Sequence, residues 1–190
     1  MSRSRLLIRL ACAGVLLAVV AGPVLADSAP VTDKTNAVSV NPLALIFGGI
    51  SANFEHKMNE KSSITAGFQY YSSDATFVKS TFLGVEGGYR MYFSPVAPDG
   101  FYWEPFVSVG SQSIEIDVFG STGKGSGISF APGVLVGRQW VWEGGFLIDL
   151  AIGGAFYLGG VTVDLGGSSY EGSYSGFGLA GKFALGYAWK

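Results

Sequence analysis

From Phe177 to Trp189 the chain alternates without interruption. Phe177, Leu179, Gly181, Phe183, Leu185, Tyr187 and Trp189 fall on one parity; Gly178, Ala180, Lys182, Ala184, Gly186 and Ala188 fall on the other. Successive side chains of a strand point to opposite faces, so this is a strand with one bulky apolar face and one small face. Gly145 to Gly159 repeats the pattern, with Phe146, Ile148, Leu150, Ile152, Phe156 and Leu158 set against Leu147, Asp149, Ala151, Gly153, Ala155 and Tyr157. A soluble sheet turns bulk inward and polar groups to water. Here the second face is glycine and alanine with few charges. The pattern predicts a closed sheet that carries its bulk outside, around a narrow and filled interior.

Eight strands are expected, over 36–46, 49–57, 62–72, 80–93, 101–116, 127–140, 145–165 and 174–189. The short connections at 58–61, 94–100 and 141–144 alternate with longer ones at 73–79, 117–126 and 166–173. This is the asymmetry of a membrane barrel with tight periplasmic turns and extended outer loops. Reading 36–57 as one long strand would leave seven strands and put the termini on opposite sides, which disfavours it. Pro42, Pro105 and Pro132 fall inside assigned strands, where each removes a ladder donor and calls for a local bulge. Arg138 falls on the outer parity, close enough to one end for a long cation to reach headgroups.

Residues 1–26 read as a secretory signal. Arg3, Arg5 and Arg9 precede an apolar run from Leu10 to Val20, and Val24-Leu25-Ala26 offers small residues for cleavage. Arg9 and Gly22-Pro23 argue against a permanent anchor, and Cys12, inside the apolar run, is in the wrong setting for lipid attachment. Cleavage would leave a short polar segment over 27–35, a barrel over 36–190, and no cysteine. Without the three arginines the 12 basic side chains fall to 9 against 14 acidic ones, about −5 net, which excludes nucleic acid as a partner. The rest of the chain holds no apolar run long enough for a transmembrane helix.

The aromatic residues give a second ruler. Phe93, Trp103, Trp140, Trp142, Phe146, Tyr187 and Trp189 gather at the end with tight turns, and Phe130, Phe156 and Phe177 at the other. Phe130 to Trp140 and Phe146 to Phe156 each span ten residues. At ~3.3 Å per residue and ~40° of tilt this rises about 25 Å, the height of an outer-membrane apolar band bounded by aromatic girdles. On the inner parity fall Glu55, Lys57, Glu86, Arg90, Glu104, Asp149 and Lys182. Their mixed signs predict a salt-bridged filling, with Arg90 and Lys182 paired to carboxylates, because an orphaned buried charge costs several kcal/mol.

With these residues in view, the chain resembles the small outer-membrane barrels of the OmpA transmembrane-domain and OmpX type. The resemblance covers essentially all of the chain that cleavage would leave and rests on pattern more than on diagnostic residues. The closing segment Lys182-Phe183-Ala184-Leu185-Gly186-Tyr187-Ala188-Trp189 is similar to the terminal insertion signal of such proteins. It departs from that signal in Ala184, where glycine is usual, and in Lys190 after the last aromatic. Asn41 to Ser51 resembles the opening of a predicted bacterial barrel family of unknown function. The resemblance implies a monomer in the outer membrane of a Gram-negative bacterium. Its partners would be outer-membrane lipid and lipopolysaccharide, the barrel-assembly machinery during insertion, and an extracellular ligand at the outer loops.

Nothing in the sequence carries a reaction. His56, the single histidine, falls near a tight turn and has no serine placed for it to activate. One histidine makes a poor metal site, and no cofactor motif stands out. Gly120-Ser121-Thr122-Gly123-Lys124-Gly125-Ser126 has Gly125 where a phosphate loop needs Ser or Thr and no helix behind it, so it reads as a flexible outer loop. The expectation is a non-enzymatic barrel with a structural or surface-interaction role. The alternatives are a small pore or transporter for small or apolar solutes and, behind it, a lipid A-modifying enzyme.

Overall fold

The alternating parity closes into a ring. The computed structural model describes residues 33–190 apart from 47, 76–77, 94–96, 119–120 and 166–167, so the segment 1–26 that reads as a secretory signal lies outside the described residues. Eight antiparallel strands follow one another around a closed barrel. They are β1 (Asn36–Val40), β2 (Gly49–Asn59), β3 (Ser62–Ala75), β4 (Val78–Tyr92), β5 (Gly100–Val118), β6 (Ser121–Val141), β7 (Phe146–Leu165) and β8 (Ser168–Trp189). Closure comes from β1 against β8, where Asn36 pairs with Trp189 and Val40 with Leu185.

The pairings fix the geometry. Starting at Leu185, they run through Val40, Ala52, Phe68, Val85, Val109, Phe130 and Leu158 and return to β8 at Ser175. The ring therefore closes ten residues from where it began, a shear of ten for eight strands. With ~3.3 Å per residue and ~4.8 Å between strands this requires a tilt of about 40° and a backbone diameter of roughly 16 Å. Such a ring has room for side chains and little else.

Three expectations are corrected. The first strand does not run to Ile46: it stops at Val40, and Pro42–Ile46 forms a short helix, α1. Asn41 caps it, its Oδ1 accepting from the Leu43 and Ala44 N–H groups at 2.9 and 3.4 Å. Pro42 occupies the first helical position, where a missing N–H costs nothing. Pro105 and Pro132 are accommodated without bulges. The β4–β5 ladder skips from Gly88–Phe106 to Met91–Trp103, and the β6–β7 ladder from Phe130–Leu158 to Gly133–Ala155, both in unbroken register. Each proline keeps its pairing on the β5–β6 side and turns its donorless nitrogen to the other neighbour. The register shift lies instead at Lys57–Asn59. Finally, the long connections are mostly strand. β5–β6 pairing continues to Val118–Ser121 and β7–β8 pairing to Leu165–Ser168, so the segment read as a flexible loop over 120–126 is largely a hairpin arm.

The tight connections share one end. At the β6–β7 turn, Gly145 donates to the Trp142 carbonyl at 2.8 Å with a φ of 91°, a conformation that favours glycine. The bulky parity is on the outside. Ile152, Phe156, Leu179 and Tyr187 are exposed, while Ala151, Ala155, Ala184 and Ala188 are buried. Leu150 stands in the outer row between Arg138 and Phe183 and is buried there. Inside, Tyr92, Ala97, Tyr102, Phe106, Ala131, Leu135, Ala151 and Ala155 pack into one cluster. At the turn end Ala97 and Pro98 are fully buried, which closes the base of the lumen.

Candidate functional site

The lumen divides into a packed lower half and an open upper half. Arg90, on the inner parity of β4, organises the lower half. Its Nη1 donates to Glu55 Oε2 at 2.9 Å and to Gln139 Oε1 at 2.8 Å. Its Nη2 donates to Glu104 Oε2 and Asp149 Oδ2, each at 2.9 Å, and its Nε to Glu104 Oε2 at 3.1 Å. A guanidinium has five N–H donors, and all five are used. Its carbon also lies 3.8 Å from the centroid of the Tyr102 ring.

The carboxylates are satisfied in turn by hydroxyls. Ser63 and Tyr92 donate to Glu55 Oε1 at 2.5 and 2.6 Å, Thr65 to Glu104 Oε1 at 2.6 Å, and Tyr102 to Asp149 Oδ1 at 2.6 Å. Gln139 Nε2 reaches Glu55 at 3.0 Å and the Pro98 carbonyl at 2.7 Å, which ties the network to the segment closing the base. Above Arg90, Lys182 Nζ lies 3.5 Å from Glu104 and 3.8 Å from Glu86. Desolvation of so many charges is tolerable only because nearly every donor and acceptor has a partner. Gly88 makes the packing possible, since a Cβ there would lie 2.6 Å from Thr65 Oγ1 and 2.7 Å from Glu104 Oε1.

Six of the seven inner-parity charges thus meet in one network. Lys57 does not: it is half-buried beside the register shift and takes no part. Sequence reasoning that counted charges missed Tyr92, Tyr102, Gln139, Ser63 and Thr65. The signal that could have found them is parity, because Tyr102 alternates with Glu104 and Gln139 with the outward Arg138.

Phe93, Trp103, Trp142, Phe146, Tyr187 and Trp189 are exposed on the outer face near the turn end, and Trp140 is half-exposed beside them. Arg138 joins them, its guanidinium carbon 4.7 Å from the Phe101 centroid and 5.1 Å from that of Trp140. Within the closing segment Lys182 and Ala184 turn inward, Tyr187 and Trp189 outward. His56 sits on the outer face, its Nδ1 2.9 Å from Asn36 Oδ1. In the segment closing the base, burial pushes the Asp99 carboxyl above its usual range, opposed by the N–H of Val141 that it accepts at 3.3 Å.

Over the packed half lies a cavity of about 390 Å³. Lys182 and Glu86 form its floor; amide and hydroxyl groups, among them Asn53, Gln69, Gln112 and Tyr174, line its walls beside Phe82, Phe106 and Leu135. Gln112 Nε2 reaches the Tyr174 hydroxyl at 3.5 Å from a strand three places away, so the arms of the far end curl toward each other over the mouth. Among the described residues, no group of three or more His, Cys, Asp or Glu is placed to hold a metal ion.

Comparison with protein-family models, with curated proteins and with solved structures finds no match. Assignment of function therefore rests on the chain's own chemistry.

Proposed function

We propose that the chain is a non-enzymatic outer-membrane barrel of a Gram-negative bacterium, of the small OmpA and OmpX kind. Its role would be structural or one of surface interaction, played by the sheet that rises from the barrel's far end. The observation that carries this reading is an inversion of polarity along β5 to β8. Below Val109, Ile128, Leu158 and Phe177 the outer face is apolar apart from Arg138 among the aromatics at the turn end. Beyond those residues the same parity presents Ser111, Ser113, Lys124, Ser126, Thr162, Asp164, Glu171 and Ser173, while Ile114, Val161 and Val163 turn inward. A sheet wholly in water has no reason to exchange its faces part-way along. One that leaves a bilayer there does, and the apolar stretch down to Trp140 and Phe146 is about 25 Å tall.

On this reading the N-terminal 26 residues direct export, the segment 182–189 is presented to the barrel-assembly machinery, and the partners are lipid, lipopolysaccharide and an extracellular ligand. A monomer suffices, because the ring satisfies its own ladder in the apolar band except beside β1. The filled lower lumen argues against the pore reading, since five guanidinium bonds stand across the path. Fractionation is the test. Recovery in the outer membrane with heat-modifiable gel migration is expected; recovery as a soluble periplasmic protein would overturn the proposal. Lipid bilayers bearing the purified protein should show no stepwise conductance, and steady channel openings would favour the pore.

A further inference from the structure

Among the described residues the wall of the barrel is incomplete on one side. β1 ends at Val40, opposite Leu185, and β8 from Ser168 to Ala184 pairs only with β7 among the described residues. Where β1 would continue upward the chain instead turns into α1, and β2 begins again only at Gly49. The apolar side chains bordering this notch are the barest on the outer face. Leu179 is 81 % exposed, Phe177 76 % and Ile46 74 %, against 43 % for Val109, 41 % for Phe130 and 69 % for Ile128 on the complete wall. The notch opens inward as well. Leu179 and Gly181 have outer parity, yet they line the polar cavity together with Asn41 at the start of α1. The cavity thus communicates sideways with the apolar band.

We infer that this notch admits a membrane amphiphile with an amine-bearing polar head, its acyl chain lying outside along α1 and β8 and its head within the lumen. The inference rests on the membrane reading above. Three features specify the occupant. The rim is apolar and the interior polar, so neither a purely apolar nor a purely polar molecule satisfies both. The floor carries Glu86 beside Lys182, and over the whole network beneath it four carboxylates (Glu55, Glu86, Glu104 and Asp149) face two cations (Arg90 and Lys182), an excess that favours an ammonium over a second anion. At the mouth, Asn41 spends its Oδ1 on the cap of α1, which leaves its amide nitrogen to donate to a phosphate oxygen. A phosphoethanolamine head presents phosphate and ammonium in the order in which mouth and floor would receive them, and the cavity of about 390 Å³ has room for it.

The protein purified from membranes in detergent should be incubated with lysophosphatidylethanolamine, lysophosphatidylglycerol or free O-phosphoethanolamine, and retention read by native mass spectrometry. Retention of the ethanolamine lipid at least tenfold above the glycerol lipid is expected, with little of the chainless head. Glu86→Gln should bring the two lipids to parity. Gly181→Leu should reduce retention of the ethanolamine lipid about tenfold while leaving heat-modifiable migration unchanged, because a Cβ at that position meets only the Ala151 carbonyl oxygen at 3.5 Å. Equal retention of the two lipids, retention of the free head as good as that of the lipid, or full retention by a folded Gly181→Leu protein would overturn the inference. Should Glu86→Gln fail to fold, the lipid comparison and Gly181→Leu still decide. A heat-modifiable, membrane-recovered protein without lipid preference would sink the notch alone; a protein soluble without detergent would sink the membrane reading itself.

Discussion

Arg90 is the residue on which the interior turns. Its guanidinium faces three buried carboxylates, and truncation would leave Glu55 and Asp149 without a cation and Glu104 with Lys182 alone. Arg90→Ala should therefore cost about 3–5 kcal/mol, read as a lowered midpoint of unfolding in detergent. Arg90→Lys should rescue little of this, since three donors on a flexible stem cannot replace five in a planar fork. An unchanged midpoint in either variant would contradict the network's role. A pair of adjacent glycines offers a finer test. Gly88→Ala should lower the midpoint by about 1–3 kcal/mol by driving a methyl into Thr65 and Glu104. Gly87→Ala faces open space and should be neutral or raise stability by up to about 1 kcal/mol. If the two substitutions behave alike, the packing described around Gly88 is wrong. Much of this site was legible in advance, because alternation alone turns Glu55, Arg90, Glu104, Asp149 and Lys182 inward. The hydroxyl and amide partners were not, because serines, tyrosines and glutamines on an inner parity look the same whether they bind a carboxylate or a water.

Among the elements, α1 shows how a local signal competes with a pattern. Leu43 to Ile46 is a short apolar run, which serves a strand or a helix equally well, and the strand before it invites continuation. Asn41-Pro42 decides for the helix, as a cap followed by a residue suited to the first helical position. Asn41→Ala should remove that cap at about 1 kcal/mol, seen as faster hydrogen exchange at the Leu43 and Ala44 amides with exchange on β3 to β7 unaltered. Uniform change across the barrel would mean that α1 is not a separable element. The arms of the far end were misread for the opposite reason. Glycine-rich segments are poor strand formers, so 117–126 and 166–173 resembled loops, yet cross-strand pairing holds 117–118, 121–126 and 168–173. Since Ile114 pairs with Gly125, excising 115–124 in favour of a two-residue turn keeps the register below it. The trimmed protein should retain its unfolding midpoint and heat-modifiable migration. Loss of folding would show that the arms contribute to the barrel beneath them.

For the whole molecule, eight strands and a shear of ten fix a narrow ring whatever its surroundings, and inward side chains of all eight strands fill its lower half. The fold class and strand count follow from alternation, whereas the notch beside β8 depends on where one strand stops and could not be foreseen. What the ring is dissolved in is a separate question, and the tryptophans offer the test of it. All four, Trp103, Trp140, Trp142 and Trp189, stand on the outer face at the turn end. In bilayers containing lipids brominated at defined depths, their fluorescence should be quenched most by bromine near the glycerol end of the chain and less by bromine near the bilayer centre, with iodide in the water having a small effect. Strong quenching by iodide with none from the brominated lipids would place those rings in water and contradict the account.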